Sequence, residues 1–214
     1  RLIRSEETLP LPANWRATVE QARGELIKVV CADDLIHPDC LATQATLLED
    51  PSLALVACRR DFIDGNGRIL TRNAGLPRLL GRRGVSEVAR ATVRFGINPV
   101  GEPACAMFRR KDYDAIGGFD GSNVFVMDID AWLRILTRGD MFGQPEAHAA
   151  FRIWTESFSN SHNRQQLDDH LRFLKQVANN PRYEIPAVLR HLAPAAAHVS
   201  WRAWTVRQRL WIFC

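Results

Sequence analysis

Residues 24–41, GELIKVVCADDLIHPDCL, run from an apolar stretch into two adjacent carboxylates and then into a proline that starts a new element. This passage constrains the fold more than any other. Leu26 to Ala32 is rich in β-branched residues and reads as a buried strand. Pro38 suits the first position of a helix, and Leu41, Ala45 and Leu48 recur at helical spacing until Pro51. A strand closed by a carboxylate pair and followed by a helix is the beginning of an α/β alternation. Adjacent carboxylates repel, and each is costly to desolvate unless something positive shares the site. Asp33 and Asp34 therefore mark either a turn leading into a helix or the seat of a cation.

The alternation continues downstream. Leu53 to Cys58, extended to Ile63, predicts a second strand, and Asn66-Gly67 in DGNGR predicts a hairpin whose returning edge begins at Ile69-Leu70. Arg72 to Gly84, punctuated by Gly and Arg, reads as a mobile loop. A helix is predicted over Val85 to Val93, a buried strand over Ala104 to Phe108, and a turn at Gly117-Gly118. A further helix runs from about Asp128 to Thr137, its apolar stripe made by Ile129, Trp132, Leu133 and Leu136. Ala147 to Ile153 predicts another strand. Leu167, Leu171, Leu174 and Ala178 then form a helical stripe, with Pro181, Pro186 and Pro194 interrupting the chain beyond it. The expected architecture is an α/β sandwich over 1–160 with a helical C-terminal extension over 161–214.

With 214 residues, 46% of them hydrophobic, the chain can bury a substantial core. The net charge of +4 is too small and scattered to indicate nucleic acid as a partner. Most of it is local: Arg59, Arg60, Arg68, Arg72, Arg78, Arg82, Arg83, Arg90 and Arg94 face Asp61, Asp64 and Glu87, which reads as a solvated arginine-rich segment. Cys31, Cys40, Cys58, Cys105 and Cys214 show no CxxC pair and fit buried thiols in a reducing compartment. No signal peptide or membrane-length apolar stretch is visible.

Taken in order, GELIKVVCADDLIHPDCL (24–41), FIDGNGRI (62–69), NPVGEPACAMFRR (98–110), IGGFD (116–120), DIDAWLRI (128–135) and FRIWTESFS (151–159) resemble the family 2 glycosyltransferases of GT-A fold. The resemblance implies a GT-A-like mixed sheet flanked by helices and transfer of a sugar from a nucleotide-sugar donor, with inversion, to a hydroxyl of a glycan, lipid-linked sugar or polysaccharide. It implies that Asp33 holds Mg²⁺ or Mn²⁺ against the nucleotide diphosphate and that Asp34 and Arg152 serve donor binding. Cys31 stands where the first acid of a full D-x-D motif would fall. Magnesium commonly takes only one or two protein carboxylates, so a shortened motif is physically tolerable.

The resemblance also implies that Asp128 is the catalytic base, with Met127 where a Glu is common. Read from the residues alone, Asp128 is a helix N-cap, and the two readings are compatible. Gly117, Gly118, Phe119 and Asp120 match a turn on the acceptor side, with Asp130 beside it; read alone, Gly-Gly is a turn. Arg134 reads as an i, i+4 partner of Asp130. Trp154 replaces a histidine common in relatives, and His162 lies downstream as a substitute. His37 reads as part of the turn into the helix.

The family places a strand, a helix and a strand ahead of GELIKVV, where this chain has only Arg1 to Gly24. The expectation is therefore a fragment that can lack donor affinity. The alternative class is a non-catalytic glycosyltransferase-like module that binds a glycan or a protein; a metal-dependent phosphoester hydrolase would want more His and Asp ligands than the chain offers. The expected location is cytoplasmic, at the inner face of a membrane. The tail HVSWRAWTVRQRLWIFC (198–214) mixes Trp and Arg and suits peripheral membrane contact, although its apolar residues do not fall on one helical face.

Overall fold

A seven-stranded mixed sheet organises the molecule, in a computed structural model that describes residues 2–154 and 163–213. In chain order the elements are α1 (Leu11–Gln21), β1 (Leu26–Ile27), β2 (Leu35–Ile36), α2 (Cys40–Leu47), β3 (Leu53–Ile63), β4 (Ile69–Ala74), β5 (Gly81–Arg83), α3 (Val85–Phe95), β6 (Ala106–Arg109), α4 (Arg110–Ala115), α5 (Met127–Ile135), β7 (Asp140–Arg152), α6 (Asn163–Asn179) and α7 (Ala187–Phe213). The main path through the sheet is β1-β6-β3-β7-β2, with β4 on β3 and β5 on β7. Strands β3 and β7 run parallel, and the other pairings are antiparallel.

β3 is the central strand and is almost continuously buried, as an apolar run covered on both faces must be. Leu55 and Ala57 join the large core with Phe108, Trp132 and Leu133, while Val56 packs with Leu48 and Met107 in a second cluster, as strand alternation requires. The Asn66-Gly67 hairpin forms as expected: Gly67 takes φ +85°, and Asp64 Oδ1 accepts from the amides of Asn66 and Arg68 at 2.9 and 2.8 Å.

Several expectations change. The strand predicted over Leu26 to Ala32 pairs only at Leu26 and Ile27, opposite Arg109 and Phe108 of β6. Residues from Lys28 onward leave the sheet as a loop that carries Cys31, Asp33 and Asp34. The stretch from Arg72 to Gly84 is not a loop throughout: it finishes β4, buries Leu76 and Leu79, and adds β5 to the edge of β7. Two arginines of the basic segment are matched by distant acids that a local count overlooks: Arg82 pairs with Asp50 and, at 3.3 Å, with Asp140, and Arg90 of α3 pairs with Glu184 at 3.4 Å. Pro194 lies inside α7 instead of breaking it.

The C-terminal helices share the core of the sheet region. Phe173, Leu174, Val177, Ala193 and Ala197 all belong to the large cluster. Helix α3 ends at Gly96 with φ +58°, and a Cβ there would collide with the Ala197 backbone. His170 Nε2 and Ser200 Oγ bond the carbonyls of Gly96 and Phe95 at 2.9 and 2.5 Å, satisfying orphan acceptors at that helix end. The expected boundary at 160/161 lies outside the described residues. Cys40, Cys58 and Cys105 are buried free thiols and Cys31 is half-buried; Cys214 and His162 lie outside the described residues.

Candidate active site

The loop leaving β1 turns back at Asp34, whose amide donates to the Cys31 carbonyl at 3.1 Å. The turn brings three ligand atoms together: Cys31 Sγ, an Asp33 oxygen and an Asp34 oxygen lie within 4.8 Å of one another. Arg152, at the end of β7, fixes this loop. Its amide donates to Asp34 Oδ1 at 3.2 Å, and its guanidinium donates to the carbonyls of Asp33, Asp64 and Gly65 at 2.8, 2.9 and 3.0 Å. Arg152 thus ties the loop to the hairpin through backbone oxygens. Trp154 Nε1 donates to Asp33 Oδ2 at 3.2 Å, so the indole in the histidine's place still addresses the acidic pair.

Asp34 is buried, and its Oδ2 has no hydrogen-bond partner among the described residues. Burial pushes its carboxyl up to about 7, helped by the charges of Glu102 and Asp33, while the Arg152 amide pulls the other way. An orphaned buried carboxylate oxygen beside a second carboxylate is a donor set suited to a hard divalent cation such as Mg²⁺ or Mn²⁺. The Cys31 thiol is pushed up to about 12 by burial and by Asp34, Asp33, Asp128 and Glu102, which keeps it a neutral, soft neighbour.

The charges of Asp128 and Glu102 thus reach the same thiol that Asp33 and Asp34 adjoin. Asp128 lies in the first turn of α5 and does not cap it; the N-cap position belongs to Val126. Asp128 Oδ1 accepts from the Ile129 amide at 2.7 Å and Oδ2 from Asn98 Nδ2 at 2.9 Å. Burial, with Glu102 nearby, raises its carboxyl to about 7 against those hydrogen bonds.

Glu102 is the residue that sequence reasoning missed, together with Arg60 and Asn98. Arg60 Nε lies 2.5 Å from Glu102 Oε2, and Nη2 donates to Oε1 at 3.2 Å. Burial works against the Arg60 charge, and Glu102 and Asp128 outweigh it, holding the guanidinium above its ordinary range. The arginine threads between Gly75 and Gly101, at φ +98° and +113°, where a side chain would strike it. The glycine and the Asn98 beside Glu102 in NPVGEP are the signal that could have pointed here: Asn98 accepts from the amides of Val100 and Gly101 at 3.0 and 2.9 Å and so builds the loop that carries Glu102.

In the glycine turn, Gly117 and Gly118 both take φ +76°, and a Cβ on Gly118 would meet the Tyr113 ring. Arg134 pairs with Asp130 at 2.6 Å and donates to the carbonyls of Ile116 and Gly118 at 2.8 and 2.9 Å, so the i, i+4 pair also locks the turn. Asp120 Oδ1 accepts from Ser122 N at 2.9 Å. Phe119 is fully buried against Trp15, Tyr113 and Trp132, so it anchors the turn from the core.

The mixed sheet flanked by helices is a GT-A fold. The chain belongs to glycosyl transferase family 2, which it matches over residues 1–117. Among solved structures it is similar to the mannosyltransferase PcManGT from Pyrobaculum calidifontis in complex with GDP-Man and Mn²⁺, at 17% identity and TM-score 0.60 over 98% of this chain and 66% of that one. It is also similar to S. aureus TarS 1-349, at 12% identity and TM-score 0.57 over 87% and 49%. Among curated proteins, the uncharacterized protein MT1568 of Mycobacterium tuberculosis (strain CDC 1551 / Oshkosh) is 33% identical over 64% of this chain and 45% of its own length. The uncharacterized protein y4gI of Sinorhizobium fredii (strain NBRC 101917 / NGR234) is 27% identical over 65% of this chain, and the match covers 16% of its length. The chain thus spans less than half of either curated relative.

Proposed function

We propose that this chain carries the catalytic crevice of an inverting, divalent-cation-dependent glycosyltransferase that moves a sugar from a nucleotide-sugar donor to a hydroxyl of a glycan or lipid-linked acceptor. One observation carries the reading: the loop after β1 sets the orphaned, buried Oδ2 of Asp34 beside the Asp33 carboxylate, a donor set that fits a divalent cation. Family membership and the resemblance to a GDP-Man and Mn²⁺ complex support it.

In this reading Asp33 and Asp34 would hold Mg²⁺ or Mn²⁺, and the bound cation offsets negative charge growing on the departing diphosphate. Arg152 keeps their loop in place through backbone carbonyls. The acceptor oxygen attacks the anomeric carbon as the bond to the diphosphate breaks, the electron pair leaving with the diphosphate. The acceptor proton passes to Asp128, whose carboxyl, raised to about 7, is poised for proton transfer near neutral pH and is oriented by Asn98 and the Ile129 amide.

A second reading, a non-catalytic glycan- or protein-binding module, draws on the Trp154 indole bonded to Asp33. Calorimetric titration with UDP or GDP separates the two. Nucleotide heat that needs Mn²⁺ and disappears in Asp33→Asn is expected of the transferase. Nucleotide binding indifferent to both metal and Asp33 would sink it.

A further inference from the structure

Helix α7 has two apolar faces. The inner one packs: Ala193 and Ala197 are buried against α3, and the rings of Trp204 and Trp211 lie 5.4 and 5.5 Å from Phe62. The outer one has no protein cover among the described residues. Val188, Leu192, Val199, Val206 and Leu210 are 66%, 57%, 68%, 57% and 59% exposed. At 3.6 residues per turn these five fall within an arc of about 40°. They form one stripe along a helix of 27 residues, about 40 Å long. The two faces also explain why the tail's apolar residues do not gather on a single side of a helical wheel.

Charge says what covers the stripe. The helix carries Arg190, Arg202, Arg207, Arg209, His191 and His198 and has no Asp or Glu. Arg202 and Arg207 are exposed on either side of the stripe. A second copy laid on this face would bring arginines against arginines, whereas an anionic lipid surface meets both the apolar stripe and its cationic borders. Among the described residues no helix is long and apolar enough to cross a membrane, so the contact lies on the surface.

We propose that α7 lies in the interfacial plane of an anionic bilayer, with the Val188–Leu210 stripe among the acyl chains and Arg202 and Arg207 at the headgroups. At its C-terminal end the stripe runs into a groove of about 590 Å³, where Leu210 and Trp211 face Trp154 and the Asp64–Leu70 hairpin. Trp154 is bonded to Asp33, so an acceptor held in the lipid surface would arrive beside the crevice. The lipid contact stands without the transferase reading; only this consequence for the acceptor rests on it.

The test is co-sedimentation of the full chain with mixed phosphatidylcholine–phosphatidylglycerol vesicles and with phosphatidylcholine alone. Binding is expected to the mixed vesicles, weakening as salt rises. V199E/V206E should weaken it about a hundredfold, and R202E about fivefold. If V199E/V206E does not fold by circular dichroism, R202E and the salt dependence still decide. The proposal is overturned if the wild type stays in the supernatant, or if folded V199E/V206E binds as the wild type does. It is equally overturned if the wild type forms a concentration-dependent dimer, abolished by V199E/V206E, with no vesicle binding.

Discussion

Asp128 and Asp130 stand on the same turn of α5 in opposite surroundings. Asp130 has a guanidinium 2.6 Å away, and the same arginine holds two carbonyls of the glycine turn, so acid, base and backbone close on themselves. Asp128 has an amide and Asn98 for partners and Glu102 for an electrostatic neighbour. The wider regions repeat the contrast. The Gly117-Gly118 turn pairs its charges internally, while the loop after β1 sets Asp33 and Asp34 beside one thiol that the charges of Glu102 and Asp128 also reach, and Arg152 meets that loop through its amide and through backbone carbonyls. A folded chain keeps like charges together at a cost in stability, and a site completed by an added cation and substrate is where that cost has a use.

The largest difference should appear on removing one acid from each region. Asp33→Asn is expected to lower turnover at least about a thousandfold, because it removes a carboxylate from a cation seat that has few. The same exchange at Asp130 should leave turnover within about tenfold and act on stability, since Arg134 loses its partner. Donor-release assays on both variants, with circular dichroism as a fold control, measure this. Equal losses in the two would erase the distinction between crevice and turn.

A smaller separation lies in the pH dependence of stability. The Asp128 carboxyl sits at about 7 when folded, above its ordinary value of 3.8. The folded state therefore holds this proton more tightly than the unfolded state, and stability falls as pH rises from about 4 to about 7, then levels. Asp34, also raised to about 7, contributes the same sign. Asp128→Asn should remove part of that fall and be more stable than wild type at pH 8 by roughly 1–3 kcal/mol, while losing on the order of a hundredfold or more in transfer. Urea unfolding across this range checks the first, and transfer assays the second. Wild-type transfer should rise with pH through the Asp128 midpoint, which a bound cation would pull lower.

How much of this was legible in the sequence depended on distance along the chain. The Asn66-Gly67 hairpin, β3 and α5 were readable because turn chemistry and apolar spacing are local signals. Strand β5 was not: Gly81–Arg83 has no apolar alternation and exists because β7 offers an open edge. The acidic pair and Asp128 were singled out through ordered motifs, whereas the burial of Phe119 was not legible because a motif does not say which of its members faces inward. Glu102 and Arg60 were missed because the pair is joined only by folding, across 42 positions. Helix α7 defeated the wheel because it carries two apolar faces, the second of them exposed among the described residues.

The smallest expected effect is the most direct probe of the contrast. If the crevice lacks only its cation, Mn²⁺ should stabilise the folded chain by mass action. At about ten times the dissociation constant this is about 1.4 kcal/mol, or roughly 3–6 °C in the unfolding midpoint of a chain this size. Asp130→Asn alters only the region that already has its cation in Arg134, so it should keep the shift while starting from a lower midpoint. Asp33→Asn should start near the wild-type midpoint and show no shift. A Mn²⁺ response in Asp33→Asn equal to that of wild type would mean that the metal binds elsewhere and that the carboxylates around Cys31 are held together by the fold alone.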